Sequence, residues 1–145
     1  MSNTVTLEQQ EDFHFAIRFG DSIPPLDADE APPLGKGEGP NPEQLLAAAV
    51  GNCLSDSLLF ALRKFKQKPE PLRTTVETTV GRNAENRLRI ERIAVRITLG
   101  VPASALQHLD RVLAQFEAFC TVAESVRKGI PVDAEVYDST GARLK

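Results

Sequence analysis

The sequence has few of the residues that usually build redox and metal sites. Among 145 residues there are two cysteines and two histidines, and there is no tryptophan. Cys53 and Cys120 are too far apart in the chain to form a CxxC redox pair, and they lack the clustered histidines and cysteines that a zinc site needs. Chemistry that uses both thiols therefore requires the fold to bring them together.

The chain also lacks an excess of basic charge and any long apolar run. Its net charge is −3, and 41% hydrophobic with 26% charged residues is the composition of an ordinary globular domain. Binding to nucleic acid or to an anionic membrane favours a basic face, so we predict neither partner. The first residues have no basic start and no signal-peptide core, and no run approaches about 18 apolar residues. We therefore expect a cytoplasmic protein.

We predict one α+β domain over residues 1–145, with residues 1–10 poorly ordered or peripheral. Apolar residues at every second position of 13–19 predict a half-buried strand, with Arg18 on the face opposite the phenylalanines. Residues 22–40 are rich in proline and glycine, and such long connections are usually functional. We expect this segment to border an active site.

A long helix is predicted from Asn41 to Phe65. Asn41 is a suitable N-cap, and Gln44 completes a capping box. The front half of the helix, Leu45–Leu54, is apolar or small on every side, which predicts burial on every side. A domain of this size encloses such a helix only with difficulty, so we expect a second chain to cover part of it.

The second half of the chain predicts two strands, a helix, a short helix and a final strand, over residues 74–80, 88–99, 103–119, 121–129 and 132–137. The apolar positions of the second strand change phase at Glu91–Arg92, which predicts a bulge. Thr121 and Glu124 predict a capping box for the short helix.

The two thiols are predicted to lie in different electrostatic settings. Cys120 directly precedes the predicted cap Thr121, where the positive end of a helix lowers a thiol pKa and favours the reactive thiolate. Cys53 lies about three turns into its helix, so it needs a cation from elsewhere in the protein to be a thiolate at neutral pH. Composition alone favours inert core positions for both cysteines.

Two charged residues are candidates for the same site. Arg18 is permanently charged and can hold a carboxylate and a thiolate together, although many strand arginines are merely solvated. Glu43 lies about 15 Å along the helix axis from Cys53 and about 80° around it. The two residues belong to one site only if the helix is broken or if Glu43 comes from a second subunit. Otherwise Glu43 is a favourable acid in a first helical turn.

Two segments together resemble a known family. GPNPEQLLAAAVGNC, leading into the long helix, and FCTVAESVRKGIPVDAEV resemble the two cysteine motifs of the OsmC/Ohr proteins (osmotically inducible protein C and organic hydroperoxide resistance protein). The order of elements is similar too, and the resemblance spans roughly residues 11–138 and is nearer the OsmC-like branch.

The resemblance implies an OsmC-like fold, with antiparallel sheets around a long buried central helix, in an intertwined homodimer whose active sites lie between subunits. It implies a thiol-dependent peroxidase for small organic hydroperoxides, with Cys53 as the peroxidatic thiol and Cys120 as the resolving thiol. Glu43 matches the acid of the family's NPEQL segment, and Arg18 matches the family's arginine by place. No metal and no bound cofactor is implied, and an external dithiol of the lipoyl or thioredoxin type recycles the enzyme.

Two other functions are compatible with the sequence. The first is a non-catalytic homodimer that binds an apolar small molecule between its helices and uses its cysteines only as core residues. The second is a general disulfide oxidoreductase, which the absence of a CxxC motif disfavours.

Overall fold

The computed structural model describes the whole chain, Met1–Lys145, and it is a mixed α+β protein with two three-stranded sheets and one long helix. The chain divides into two compact units, Met1–Leu46 and Ala47–Lys145. The boundary between them falls within the long helix α1, which runs from Pro42 to Lys64.

The first unit contains an antiparallel sheet with the strand order β1-β2-β3. The strands are Thr6–Glu11, His14–Arg18 and Leu26–Ala28. The predicted strand is present as β2, where Ala16 and Ile17 are buried and Arg18 is exposed. Strand β1 was not predicted, and all of its residues are exposed because it lies at the edge of the sheet.

The glycine-rich segment of the first unit encloses a carboxylate of its own chain. The buried Asp29 side chain accepts hydrogen bonds from the backbone N–H groups of Glu30, Lys36 and Glu38 at 2.8, 3.1 and 3.1 Å. A Cβ atom on Gly35 would lie 2.3 Å from Asp29 Oδ1, so only glycine fits there. These hydrogen bonds, led by that from Glu38, lower the pKa of Asp29 below its usual value. Gly35 therefore has a structural role in the turn that surrounds Asp29.

Helix α1 begins with the predicted capping box. The Asn41 N–H donates to the Gln44 side-chain oxygen at 3.0 Å, and the Gln44 N–H donates to Asn41 Oδ1 at 2.9 Å. The helix is long and apolar enough to cross a membrane by length and composition, a test that core helices of globular proteins also pass. Arg63 and Lys64 in its last turn complement the negative end of the helix dipole.

In the second unit, α1 packs closely against a sheet with the order β4-β5-β6, formed by Arg73–Arg82, Leu88–Thr98 and Val132–Tyr137. A Cβ atom on Gly51 would lie 2.5 Å from Val76 Cγ2. One turn later, the hydroxyls of Ser55 and Thr74 are 2.6 Å apart. Strands β4 and β5 are antiparallel, whereas β5 and β6 are parallel, which differs from the antiparallel sheets that the family resemblance implies.

The phase change in β5 is confirmed as a bulge. Thr79 pairs with Arg92 and Val80 pairs with Ile90, which leaves Glu91 as the extra residue. Beyond the bulge, the odd-numbered apolar residues of β5 point into the core: Ile93, Val95 and Ile97.

The prediction of one continuous helix over residues 103–119 is wrong. The segment contains a 3-10 turn at Ala103–Ala105, helix α2 at Leu109–Gln115 and a second 3-10 turn at Phe116–Phe119. His108 interrupts it with a left-handed backbone (φ 59°), and its ring stacks on Phe65 with 4.7 Å between ring centroids. Val112, Leu113 and Phe116 of this segment are buried, whereas Phe119 is 75% exposed.

Within one chain the buried residues of α1 form a stripe rather than a full circumference. Val50, Leu54, Leu58 and Leu62 are fully buried, whereas small and apolar residues on the other side, including Ala48, Ala49 and Phe60, are exposed. Coverage of that side by a second chain remains a prediction.

Candidate active site

The structure brings the two cysteine sulfurs together at the start of a short helix, α3, which spans Thr121–Val126. Cys53 is half-buried in the middle of α1, and its Sγ accepts the Val122 N–H at 3.5 Å. Cys120 is fully buried, and its Sγ accepts the Ala123 N–H at 3.4 Å. Both sulfurs thus contact consecutive N–H groups of the same helical turn, and both thiols are free.

The N-cap of α3 differs from the predicted one. Cys120 caps the helix through its own sulfur, and Thr121 is the exposed first residue of the helix. Glu124 does not complete a capping box, because its carboxylate binds Arg127 instead. The N-cap therefore lies one residue earlier than predicted, and the candidate resolving sulfur is part of it.

The predicted lowering of the Cys120 pKa is also wrong. Burial, and after it a hydrogen bond with Cys53, raise the pKa of the Cys120 thiol to about 11. The Ala123 N–H and the Ser57 hydroxyl favour the thiolate, but they do not offset these two effects. Cys120 therefore keeps its proton at neutral pH.

Ser57 is a site residue that sequence reasoning missed. It lies on α1 one turn after Cys53, and its hydroxyl lowers the pKa of Cys120. Ser57 could have been predicted from its spacing of four residues from Cys53, because that spacing places two side chains on one face of a helix.

An aromatic groove adjoins this pair of thiols within the second unit. It encloses about 500 Å³, and Ser57 forms part of its wall. Four phenylalanines line the groove, together with the cations Lys64 and Arg111: Phe60, Phe65, Phe116 and Phe119. Phe119, the residue directly before Cys120, is 75% exposed. Neither cysteine lines the groove, which can accept an apolar group at Ser57, one helical turn from Cys53.

Comparison with known proteins decides the family. A family sequence model described as OsmC-like protein matches residues 35–135, which include both cysteines. The chain belongs to the OsmC family.

Individual members of the family are similar to this chain at low sequence identity. The peroxiredoxin OsmC of Escherichia coli is 25% identical over 99 residues, which are 68% of either chain. The structure of an OsmC-like protein from Vibrio cholerae has a TM-score of 0.78 at 17% identity and covers 94% of this chain and 99% of its own. The structure of the organic hydroperoxide resistance protein OsmC of Legionella pneumophila has a TM-score of 0.70 at 19% identity. The match covers 94% of this chain and 97% of the Legionella chain.

The other two site candidates of this OsmC-family chain lie in the first unit. The Arg18 side chain is 53% exposed, and its Nε is 3.8 Å from Glu8 Oε1, a long surface ion pair. Glu43 lies in the first turn of α1, half-buried, and makes no ion pair. The pairing of Arg18 with Glu43, and the action of either residue on Cys53, remain predictions.

Proposed function

We propose that this OsmC-family chain is a thiol-dependent peroxidase that reduces organic hydroperoxides to alcohols. The observation that carries the proposal is the convergence of Cys53 and Cys120 on one helical turn. The names of two relatives, a peroxiredoxin and an organic hydroperoxide resistance protein, support the same reaction class.

In the first step, the Cys53 thiolate attacks the distal oxygen of the hydroperoxide. The O–O bond breaks, the leaving alkoxide takes up a proton to become an alcohol, and Cys53 becomes a sulfenic acid. Cys53 suits this role because it is the more accessible of the two sulfurs. Arg18, oriented by Glu43, stabilises the thiolate in a site assembled between the subunits of an intertwined homodimer.

In the second step, the Cys120 thiol condenses with the sulfenic acid to form a disulfide and water. An external dithiol of the lipoyl or thioredoxin type then restores both thiols by exchange. The reaction requires neither a metal nor a bound cofactor, and a cytoplasmic location would supply such dithiols.

The test is a titration of the reduced protein with one equivalent of cumene hydroperoxide per chain, followed by thiol counting and intact mass measurement. We expect the parent to lose both thiols and to gain an intrachain disulfide. Cys53→Ser should abolish turnover, and Cys120→Ser should undergo one oxidation and then stall. If Cys53→Ser consumes the hydroperoxide with a dithiol at the parental rate, the proposal is wrong.

A second candidate function is favoured by the aromatic groove. Its volume of about 500 Å³ and its four phenylalanines suit a non-catalytic protein that binds an apolar small molecule. In that case the cysteines are core residues, and both thiols remain free after treatment with one equivalent of hydroperoxide. The same titration therefore separates the two functions.

A further inference from the structure

We infer that Arg127 is a positioning residue for the resolving step, in which Cys120 attacks oxidised Cys53. The inference rests on the peroxidase function proposed above. Arg127 follows α3 as its C-cap, and it touches neither cysteine side chain. Its effect must therefore act through the backbone that carries Cys120.

The Arg127 guanidinium ties three parts of the chain together. Its Nη2 donates to Glu117 Oε1 at 2.7 Å, its Nη1 donates to Glu124 Oε1, and its Nε donates to the Val132 carbonyl oxygen at 3.1 Å. Each nitrogen thus has a separate acceptor, a geometry that a planar guanidinium provides and an ammonium does not. The three acceptors lie before α3, within α3 and at the start of β6.

The two carboxylates that Arg127 binds bracket Cys120 in the chain. The Cys120 N–H donates to the Glu117 carbonyl oxygen at 3.0 Å, and the Glu124 N–H donates to the Cys120 carbonyl oxygen at 3.0 Å. By holding both glutamates, Arg127 closes the turn in which Cys120 lies. Lys145 supports the same turn, because its Nζ binds the Glu117 carboxylate and donates to the Leu113 carbonyl oxygen at 2.9 Å.

Burial distinguishes this cluster from the other ion pairs nearby. The side chains of Arg127 and Glu117 are only 29% and 19% exposed, so their attraction is weakly screened by solvent. Arg92 and Asp133, which line one polar cavity together with Arg127 and Glu117, form a pair of the same length, 2.7 Å, but they are 55% and 57% exposed. Exposed pairs of this kind contribute little. Arg92 is therefore a matched control.

The resolving step depends strongly on the placement of Cys120. A sulfur–sulfur bond of about 2.05 Å forms, the S–O bond of the Cys53 sulfenic acid breaks, and the Cys120 proton leaves with the hydroxyl group as water. The Cys53 sulfur is reduced and the Cys120 sulfur is oxidised. Because Cys120 is fully buried, it cannot search for its partner, and its backbone must hold the sulfur in line. The attack of Cys53 on hydroperoxide has no such requirement.

The experiment is a single turnover of the full-length, reduced protein with one equivalent of cumene hydroperoxide. Sulfenic acid at Cys53 is trapped with dimedone at each time point, and disulfide formation is followed by intact mass. In Arg127→Met we expect sulfenic acid to form within about twofold of the parental rate and disulfide to form at least about tenfold more slowly. In Arg92→Met both rates should stay parental. A substitution that merely loosened the fold would not slow disulfide formation while leaving sulfenic acid formation unchanged.

Two results would overturn the inference alone: parental disulfide formation in Arg127→Met, or equal slowing in Arg127→Met and Arg92→Met. If Arg127→Met does not fold, Glu124→Gln provides the same test by removing one of the three contacts. Failure of the parent to form any sulfenic acid at Cys53 is a different result, because it overturns the proposed peroxidase function itself.

Discussion

Neighbouring groups have opposing effects on the protonation of the Cys120 sulfur. Burial and Cys53 favour the thiol, whereas the Ala123 N–H and the Ser57 hydroxyl favour the thiolate, and the balance raises the pKa to about 11. A protonated resolving thiol suits the proposed reaction, because its proton leaves as part of the water that resolution produces.

This raised pKa predicts a specific loss of stability in alkali. Below about pH 8.5 the folded and unfolded states both keep the Cys120 proton. As the pH rises toward 11, the unfolded state releases the proton and the folded state retains it, so the free energy of unfolding falls. Cys120→Ala removes this contribution and should show a shallower decline between pH 9 and pH 11.

The measurement is urea unfolding of the reduced parent and of Cys120→Ala at several pH values from 7 to 11. Loss of the sulfur is expected to offset the free energy of unfolding of Cys120→Ala by a constant amount. The pKa is tested only by the difference between the slopes of the two proteins' free energies of unfolding against pH. Parallel curves over the whole range would contradict the prediction.

At the scale of elements, the contact between α1 and β4 holds the Cys53 helix against the sheet. The contact is close because Gly51 has no side chain, and a Cβ atom there would lie 2.5 Å from Val76 Cγ2. Valine has a restricted χ1 angle, so it cannot easily move aside. We predict that Gly51→Ala destabilises the protein by about 1–3 kcal/mol, as overpacked core sites do.

Urea unfolding at neutral pH measures this effect. Gly129→Ala is the control, because an added Cβ atom there has nothing within 4 Å, and it should not lower the free energy of unfolding. An equally stable Gly51→Ala variant would show that the helix and the strand can separate without cost.

Sequence periodicity described some elements well and others poorly. The capping box of α1 and the bulge at Glu91 were readable because each depends on residues adjacent in the chain. The break at His108 was not, because Leu106, Val112 and Phe116 keep a helical apolar pattern across it. The cap of α3 was misplaced for a related reason, since a buried sulfur replaced the usual hydroxyl.

At the scale of the whole molecule, the exposed side of α1 bears on assembly. Phe60 is 71% exposed, and Ala48 and Ala49 are exposed on the front half of the same helix. Exposed apolar surface on a central helix favours burial against another chain. We predict that the protein is a homodimer and that Ala49→Arg weakens its association at least about tenfold by placing a charge in the interface.

Sedimentation velocity over a range of concentrations tests this prediction. Lys68→Glu, an exposed change just beyond the helix, is the control and should leave the association unchanged. A parent that sediments as a monomer at every concentration would contradict it, and so would an Ala49→Arg variant that associates as tightly as the parent.

The amino-acid sequence by itself determined the α+β class, the long capped helix and the identity of the two thiols, because these depend on local patterns and on two motifs. The tertiary structure decided which groups surround those thiols. Folding places Ser57 beside Cys120 and joins Arg127 to the glutamates on either side of it, and burial raises the pKa of Cys120 despite the nearby helix end. Local spacing specifies which residues share a helix face, but solvent exclusion and long-range contacts arise only when the elements pack.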